Sequence, residues 1–139
     1  MKVGVVGLGF VGSVTAAVLA DQGNDVVGLD IDYQKIKMLN SGRSPIFEPG
    51  LEELIKRNKN NLKFTTDYSF LKDAEVIFIA VPTPNENGKI NLNYVYSAVR
   101  SIKSVNRNAI IVIKSTVIPG TGTRIEKEFQ VKIVSNPEF

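Results

Sequence analysis

The chain has 139 residues, of which 43% are hydrophobic and 22% are charged, a composition typical of one globular domain with a sound core. It contains no cysteine and no histidine, which excludes disulfides, thiolate metal sites and imidazole acid–base chemistry. The net charge of +3 comes from scattered basic residues, and no apolar run approaches the roughly 20 residues of a membrane span. We therefore expect no nucleic-acid or membrane partner. Because Met1 leads directly into a strand and leaves no room for a signal peptide, we expect a cytoplasmic protein.

The first predicted elements are an apolar strand, a glycine-rich turn and a helix. Gly7, Gly9 and Gly12 follow the strand in the spacing G-x-G-x-x-G. In a dinucleotide-binding turn the first glycine permits the bend, the second lets the backbone approach the phosphates, and the third lets helix and strand pack closely. The strand and helix on either side disfavour the alternative, a chance glycine turn. The buried stripe of the helix is predicted from its apolar residues at helical spacing, Val11, Val14, Ala17 and Val18.

The second strand, over residues 25–29, is followed by an acid. Asp30 lies 18 residues after Gly12, close to the roughly 20 expected of the acid that binds the adenosine ribose. A carboxylate there accepts hydrogen bonds from both ribose hydroxyls, and at ~4 Å it repels a 2′-phosphate by about 1 to 4 kcal/mol. The following segment, residues 31–34, contains no arginine that would hold such a phosphate. The sequence therefore predicts NAD rather than NADP as the cofactor.

The remaining chain alternates helices and strands. We predict helices over 32–40, 49–56, 67–73, 92–102 and 120–129, strands over 62–65, 76–80, 110–113 and 131–134, and loops over 43–48 and 81–91. Helices between parallel strands cover both faces of a sheet. The sequence therefore predicts an α/β fold with a doubly wound, parallel six-stranded sheet (a Rossmann fold) in a single domain over residues 1–139.

The segments after the strands carry further motifs, and ligands of such sheets bind beyond the carboxyl ends of the strands. The fourth strand is followed by V-P-T-P with Thr83, the fifth by K-S-T-V with Thr116, and the sixth by S-N-P-E-F with Glu138. Together with G-L-G-F-V-G and P-I-F-E-P-G-L, these motifs resemble the N-terminal NAD-binding domain of the nucleotide-sugar 6-dehydrogenases. This family contains the UDP-glucose and GDP-mannose dehydrogenases, and the resemblance covers the whole chain.

The resemblance implies roles for residues that bind the cofactor. Phe10 and Val11 would offer backbone N–H groups to the pyrophosphate, next to the three glycines. Asp30 and Lys35 would hold the adenosine ribose. Thr83 would line the path to the nicotinamide. For Lys35 the alternative is a solvated residue on the second helix, and for Thr83 it is a turn hydroxyl that bonds local backbone.

The resemblance also implies a reaction. Family members oxidise the C6 alcohol of the sugar to a carboxylate, with two NAD and an active-site cysteine that forms a covalent intermediate. Thr116 would line the path to the nicotinamide, and Glu138 would be the acid that works with an ordered water, so these two are the catalytic candidates. The alternatives are a local turn hydroxyl for Thr116 and a frayed surface acid for Glu138.

Two further features are interpreted as structural. Residues 45–51 are expected to connect a loop to a helix, with Glu48 as a weak site candidate. Lys114 ends a strand, where a lysine usually faces solvent, and it is assigned no role.

The chain lacks parts that the family has. Members continue into a central helix and a second domain, which supply the catalytic cysteine, a lysine and most contacts with the nucleotide sugar. We therefore expect this chain to bind NAD without turnover, and the substrate to be bound through the second domain. Full-length members are expected to form homodimers.

The substrate and the class of protein leave alternatives. UDP-glucose is favoured because residues 87–92 look most like that branch, while GDP-mannose and UDP-N-acetyl-hexosamines stay open. A stand-alone NAD(H)-sensing regulatory module shares the glycine turn and Asp30, but it does not need Thr83, Thr116 or an acid after the sixth strand. A hydroxyacid dehydrogenase that prefers NADP would need an arginine within residues 31–32.

Overall fold

The structure, a computed structural model, describes residues 1–138. Its strands are β1 (Lys2–Val6), β2 (Asp25–Leu29), β3 (Leu62–Thr65), β4 (Val76–Ile79), β5 (Asn85–Glu86), β6 (Lys89–Ile90), β7 (Ile110–Ile113) and β8 (Lys132–Ser135). Its helices are α1 (Phe10–Asp21), α2 (Tyr33–Asn40), α3 (Leu51–Arg57), α4 (Asn93–Val105) and α5 (Thr121–Phe129), with a short 3-10 helix at Tyr68–Leu71. In this part of the chain, no helix is both long and apolar enough to cross a membrane.

The six longer strands form one parallel sheet in the order β3-β2-β1-β4-β7-β8. The order reverses between β1 and β4, so the helices that follow these two strands lie on opposite faces and leave a crevice at their carboxyl ends. This confirms the predicted doubly wound fold, and the predicted fifth and sixth strands are β7 and β8. The crevice is where the glycine-rich turn lies.

A hydrophobic core packs against each face of the sheet. On one face, α4 and α5 cover a cluster that includes Ile77, Ile79, Ile111 and Ile113. On the other face, α1, α2 and α3 cover a cluster built on alternate residues of β1, β2 and β3. Strand residues alternate between the two clusters because successive side chains of a strand point to opposite faces.

The buried face of α1 differs from the predicted one. Val18 is 39% exposed, and the buried residues are the small ones, Gly12, Ser13, Ala16, Ala17 and Ala20. Of the predicted stripe, only Ala17 is fully buried, and Val11 and Val14 are half-buried. Small residues let the helix approach the sheet closely. The sequence prediction overlooked this because it favoured the largest apolar residues as the buried ones.

Other parts of the chain also differ from the sequence prediction. Helix α3 begins at Leu51 rather than at residue 49, because Gly50 has a φ of 84° and lies outside the helical region. The loop predicted over 81–91 contains the antiparallel hairpin of β5 and β6. Its two central residues, Asn87 and Gly88, have φ values of 53° and 81°, and positive φ at both is typical of the tight turns of two-residue hairpins.

Candidate functional site

The glycine-rich turn is held in place by backbone contacts that exclude side chains. Gly7 has a φ of 94°, and its N–H donates to the carbonyl of Leu29 at 2.8 Å. A Cβ on Gly7 would lie 2.7 Å from the backbone of Ala80. In the first turn of α1, the buried hydroxyl of Ser13 donates to the carbonyl of Leu8 at 2.9 Å. The turn is therefore fixed between β2, β4 and α1.

The second and third glycines have opposite surroundings. A Cβ on Gly12 would collide with the carbonyl oxygen of Gly7, so a side chain here is incompatible with the close packing of α1 on the turn. A Cβ on Gly9 would meet nothing within 4 Å, because this residue faces open space. The turn therefore leaves room for a group that approaches the backbone at Gly9, as the pyrophosphate of a dinucleotide does.

The amino end of α1 provides free donors at the same place. The first backbone bond of the helix runs from the N–H of Ser13 to the carbonyl of Gly9 at 3.0 Å, and no side chain caps the helix. Within residues 1–138, the N–H groups of Phe10 and Val11 have no acceptor. Unpaired N–H groups and the positive end of a helix dipole attract anions. The helix start can therefore bind phosphate oxygens.

A cleft of about 560 Å³ lies beside this turn, a volume within the range of small-molecule sites. The residues predicted from sequence to bind the cofactor that line it are Gly7, Gly9, Phe10, Val11, Asp30 and Lys35. Gly12 is buried behind the turn. The predicted cofactor residues of the first half of the chain are thus brought together in one cavity.

Asp30 presents a carboxylate that the backbone holds in one position. Its Oδ2 accepts from the N–H of Leu8 at 2.8 Å, and its Oδ1 accepts from the N–H of Asp32 at 2.9 Å. The side chain is 12% exposed. The contact with Leu8 ties the end of β2 to the glycine turn. The two backbone N–H groups therefore fix the carboxylate at the wall of the cleft.

Lys35 is brought to Asp30 by the start of α2. The side chain of Asp32 accepts from the N–H groups of Gln34 at 3.0 Å and of Lys35 at 3.3 Å, which starts the helix one residue after the cap. Lys35 Nζ then lies 3.5 Å from Asp30 Oδ2, at the long end of a hydrogen bond. So long a bond is weak, so the ammonium is available to a second acceptor in the cleft.

The opposite wall of the cleft contains residues that the sequence analysis missed. Tyr68 begins the 3-10 helix after β3, and Tyr94 and Ser97 lie on α4. Tyr68 follows the carboxyl end of a strand, which is the position that singled out Thr83 and Thr116, and this signal would have identified it. Tyr94 and Ser97 give no such signal, because their spacing of three residues along a helix is also found on helix faces that are exposed to solvent.

Burial raises the pKa of Tyr68 above its ordinary value of 10.0, and the negative charge of Asp30 raises it further, against a smaller opposite effect of the Ser101 hydroxyl. The native state therefore holds this proton more tightly than the unfolded chain. The resulting stability is fully present below the ordinary pKa and is lost as the pH rises through the pKa of the folded state. Tyrosinate absorbance at alkaline pH is expected to show a component above pH 10 that Tyr68→Phe removes. The Asp30→Asn variant should move this component to lower pH, and an unchanged titration in both variants would contradict the assignment.

The residues predicted at the nicotinamide end lie outside this cleft, at the ends of β4, β7 and β8. Thr116 Oγ1 donates to the carbonyl of Glu138 at 3.1 Å, so its partner is 22 residues away and is not local turn backbone. Thr83 follows Pro82, which lines the cleft, and its hydroxyl has no hydrogen-bond partner among the described residues. The structure thus brings Thr116 and Glu138 into contact, and places Thr83 after the adjacent strand.

Lys114 differs from its sequence interpretation as a solvent-facing residue. Its side chain is 17% exposed, and its Nζ lies 3.3 Å from Glu138 Oε2 and 3.3 Å from Asn136 Oδ1. The residue was missed because its partners come 22 and 24 positions later in the chain and meet it only through the pairing of β7 with β8. Glu48, the weak candidate, does not line the cleft, and its carbonyl accepts from the N–H of Leu51 at the start of α3 at 3.1 Å.

The fold and the cleft define a class of protein. A doubly wound sheet, a G-x-G-x-x-G turn with open space at its second glycine, and an acid fixed at the end of β2 are together the features of a Rossmann dinucleotide-binding domain. A family model described as "UDP-glucose/GDP-mannose dehydrogenase family, NAD binding domain" matches residues 1–139. The chain belongs to this family and is an NAD-binding domain of the nucleotide-sugar 6-dehydrogenases, which confirms the predicted resemblance and cofactor.

Individual relatives agree with this assignment. The chain is 47% identical to an uncharacterized protein of Methanocaldococcus jannaschii and 41% identical to a UDP-glucose 6-dehydrogenase of Rhizobium meliloti, and both alignments cover all of the chain. The chain spans only 16% and 35% of the lengths of these two relatives. The crystal structure of a GDP-mannose dehydrogenase from Pseudomonas aeruginosa matches with a TM-score of 0.90 and 37% identity, over 100% of this chain and 36% of that one.

Proposed function

We propose that this chain supplies the cofactor-binding part of an enzyme that oxidises the C6 alcohol of a nucleotide sugar with NAD. The observation that carries the proposal is the carboxylate of Asp30, fixed by two backbone N–H groups beside an uncapped helix start. A carboxylate in this place accepts hydrogen bonds from ribose hydroxyls and repels a 2′-phosphate. The geometry therefore favours NAD over NADP, as the sequence predicted.

The residues of the cleft divide between the two parts of the adenosine diphosphate. Phe10 and Val11 at the start of α1 would donate backbone N–H groups to the pyrophosphate, which the space at Gly9 admits. Asp30 and Lys35 would hold the ribose, with Lys35 free to leave its long contact for a hydroxyl. These groups would bind and orient the cofactor. None of them lies at the carboxyl ends of β7 and β8, where Thr116 and Glu138 are found.

The ends of β4, β7 and β8 would carry the reaction. NAD, when bound, supplies the acceptor for the hydride that leaves the sugar alcohol. Thr83 and Thr116 would line the nicotinamide site, and Glu138 would hold or move a proton together with a water. The support is the hydrogen bond that joins Thr116 to Glu138 and the position of all three residues at the binding edge of the sheet.

The proposal also covers the substrate and the parts of the protein that would bind it. UDP-glucose is the substrate we favour, on the likeness of residues 87–92 to that branch and on the 41% identity to a UDP-glucose 6-dehydrogenase. The chain has no cysteine for a covalent intermediate and covers about a third of that relative, 35%. We propose that the nucleotide sugar is bound by a central helix and second domain absent from residues 1–139, and that the complete protein is a homodimer. The chain alone then binds NAD without turnover.

A titration with NADH tests the proposal. Nicotinamide fluorescence should saturate with NADH and respond much more weakly to NADPH, and the chain contains no tryptophan that would interfere. With NAD and UDP-glucose, GDP-mannose or UDP-N-acetylglucosamine, we expect no NADH formation above background. Equal binding of NADH and NADPH would contradict the role of Asp30, and measurable oxidation of a nucleotide sugar would contradict the need for a second domain.

A further inference from the structure

Lys114 joins the last residues of the described chain to the end of β7. Its carbonyl accepts from the N–H of Glu138 at 3.1 Å, while its Nζ contacts the carboxylate of Glu138 and the side chain of Asn136, each at 3.3 Å. The N–H of Lys114 donates to the carbonyl of Ile79 at 2.8 Å, so the residue is itself tied to the end of β4. One lysine thus connects the carboxyl ends of β4 and β7 with the segment that follows β8.

The surroundings of Lys114 indicate a fixed charge pair. Its side chain is 17% exposed, although that of Glu138 is 52% exposed. The ammonium is therefore largely withdrawn from solvent, while the carboxylate that it contacts faces outward. Glu138 is held at two places: the ammonium of Lys114 contacts its carboxylate, and its backbone N–H and carbonyl bond to the carbonyl of Lys114 and the hydroxyl of Thr116.

The topology shows which end of a dinucleotide this pair would meet. A doubly wound sheet consists of two mononucleotide-binding halves, and the dinucleotide lies across the crevice between them. Asp30, at the end of β2, and Lys35, at the start of α2, mark the half of β1, β2 and β3 as the adenosine side. The other half, β4, β7 and β8, is then the nicotinamide side, and Lys114 and Glu138 lie at its carboxyl ends.

We propose that Lys114 is a positioning residue, which holds Glu138 at the nicotinamide end of the site and balances its negative charge there. The inference rests on the proposed function, since it requires the nicotinamide to lie over β4, β7 and β8. The nicotinamide ring is positively charged in NAD⁺ and neutral in NADH. A carboxylate without its lysine would favour the oxidised cofactor, so the pair sets how the site discriminates between the two forms.

The ratio of the dissociation constants of NAD⁺ and NADH tests this inference in the chain itself. Lys114→Met is expected to lower the ratio of the NAD⁺ to the NADH dissociation constant by about fivefold, since it removes one positive charge near the ring at an effective dielectric constant between those of protein and water. Glu138→Gln is expected to raise the ratio by about the same factor. Lys114→Arg, which keeps the charge, should preserve the ratio of the unchanged protein.

Controls separate this effect from a change in folding. ADP-ribose lacks the nicotinamide, so its dissociation constant should be the same in all variants. Lys132→Met removes an exposed lysine at the amino end of β8 and should not change the ratio. A merely structural role for Lys114 would change the affinity for NAD⁺ and NADH alike.

Two results would overturn the inference. The first is an unchanged ratio in Lys114→Met with normal ADP-ribose binding. If Lys114→Met no longer binds ADP-ribose, Glu138→Gln decides, and an unchanged ratio there is the second. A wild-type chain that binds neither ADP-ribose nor NADH would overturn the proposed function, which is a different outcome from a bound but insensitive cofactor.

Discussion

Replacement of Gly12 by alanine is expected to lower the free energy of unfolding by about 2 kcal/mol and to abolish NADH binding. The new Cβ would collide with the carbonyl oxygen of Gly7, and both atoms belong to parts of the chain that cannot rotate away. Forced overpacking costs about 1 to 3 kcal/mol or more, while alanine in a helix recovers at most about 1 kcal/mol relative to glycine. The turn must therefore move away from α1, and the position of Leu8 against Asp30 moves with it.

Gly9→Ala is the matched control in the same motif. A Cβ at Gly9 meets no atom within 4 Å, and the φ of −76° is one that alanine adopts freely. We expect the free energy of unfolding of this variant to lie within about 0.5 kcal/mol of that of the unchanged protein, as is usual for substitutions that make no new contact. Its methyl group projects into the space that a pyrophosphate would occupy, so NADH affinity should fall at least tenfold.

Thermal unfolding followed by circular dichroism and NADH titration separate the two variants. Gly12→Ala should lose stability and binding together, whereas Gly9→Ala should lose binding alone. Equal stabilities in the two variants would show that the close packing of α1 on the turn does not depend on Gly12. Unchanged NADH affinity in Gly9→Ala would show that no ligand approaches the backbone at this residue.

Local patterns were sufficient to predict the fold and to single out residues of the first half of the chain that line one cleft. The glycine turn and Asp30 were identified from a motif within about 30 residues, in which each residue type has a steric or electrostatic reason, and the doubly wound sheet followed from the alternation of strands and helices. The capping of α2 by Asp32 was likewise readable, since the cap and the helix start are neighbours in sequence. These features depend on residues that are close together along the chain, so a single sequence is enough to predict them.

Features that depend on tertiary packing were not predictable in the same way. The buried face of α1 consists of small residues because the helix lies close to the sheet, and hydrophobicity alone favoured Val18. The contact between Lys114 and Glu138 exists only because β7 pairs with β8. The hairpin of β5 and β6 was missed because Asn87 and Gly88, a turn signal, stand between strands of only two residues each.

Asp30→Asn is expected to weaken NADH binding by roughly 10- to 150-fold, since hydrogen bonds to a charged group contribute about 1.5 to 3 kcal/mol. The amide keeps the shape of the side chain and one oxygen that can accept from Leu8, so the turn should stay in place. It loses the charge, and an NH2 group replaces the Oδ1 that accepts from the N–H of Asp32 and that a ribose hydroxyl could also approach. NADPH binding should fall less, because the repulsion of a 2′-phosphate disappears with the charge. The ratio of the NADPH to the NADH dissociation constant is therefore expected to decrease.

A neighbouring carboxylate shows whether position or mere negative charge matters. Asp32 caps α2, and serine is also a good cap, so Asp32→Ser removes an acid near the cleft while the helix start and Lys35 keep their places. We expect NADH affinity in this variant to stay within about threefold of the unchanged protein, since Asp32 does not line the cleft. A loss in Asp32→Ser as large as in Asp30→Asn, or a loss below threefold in Asp30→Asn, would contradict the assignment of the ribose to Asp30. The expected contrast depends on one feature of the structure: two backbone N–H groups hold the Asp30 carboxylate at the wall of the cleft, so we expect its effect to come from a fixed position as well as from its charge.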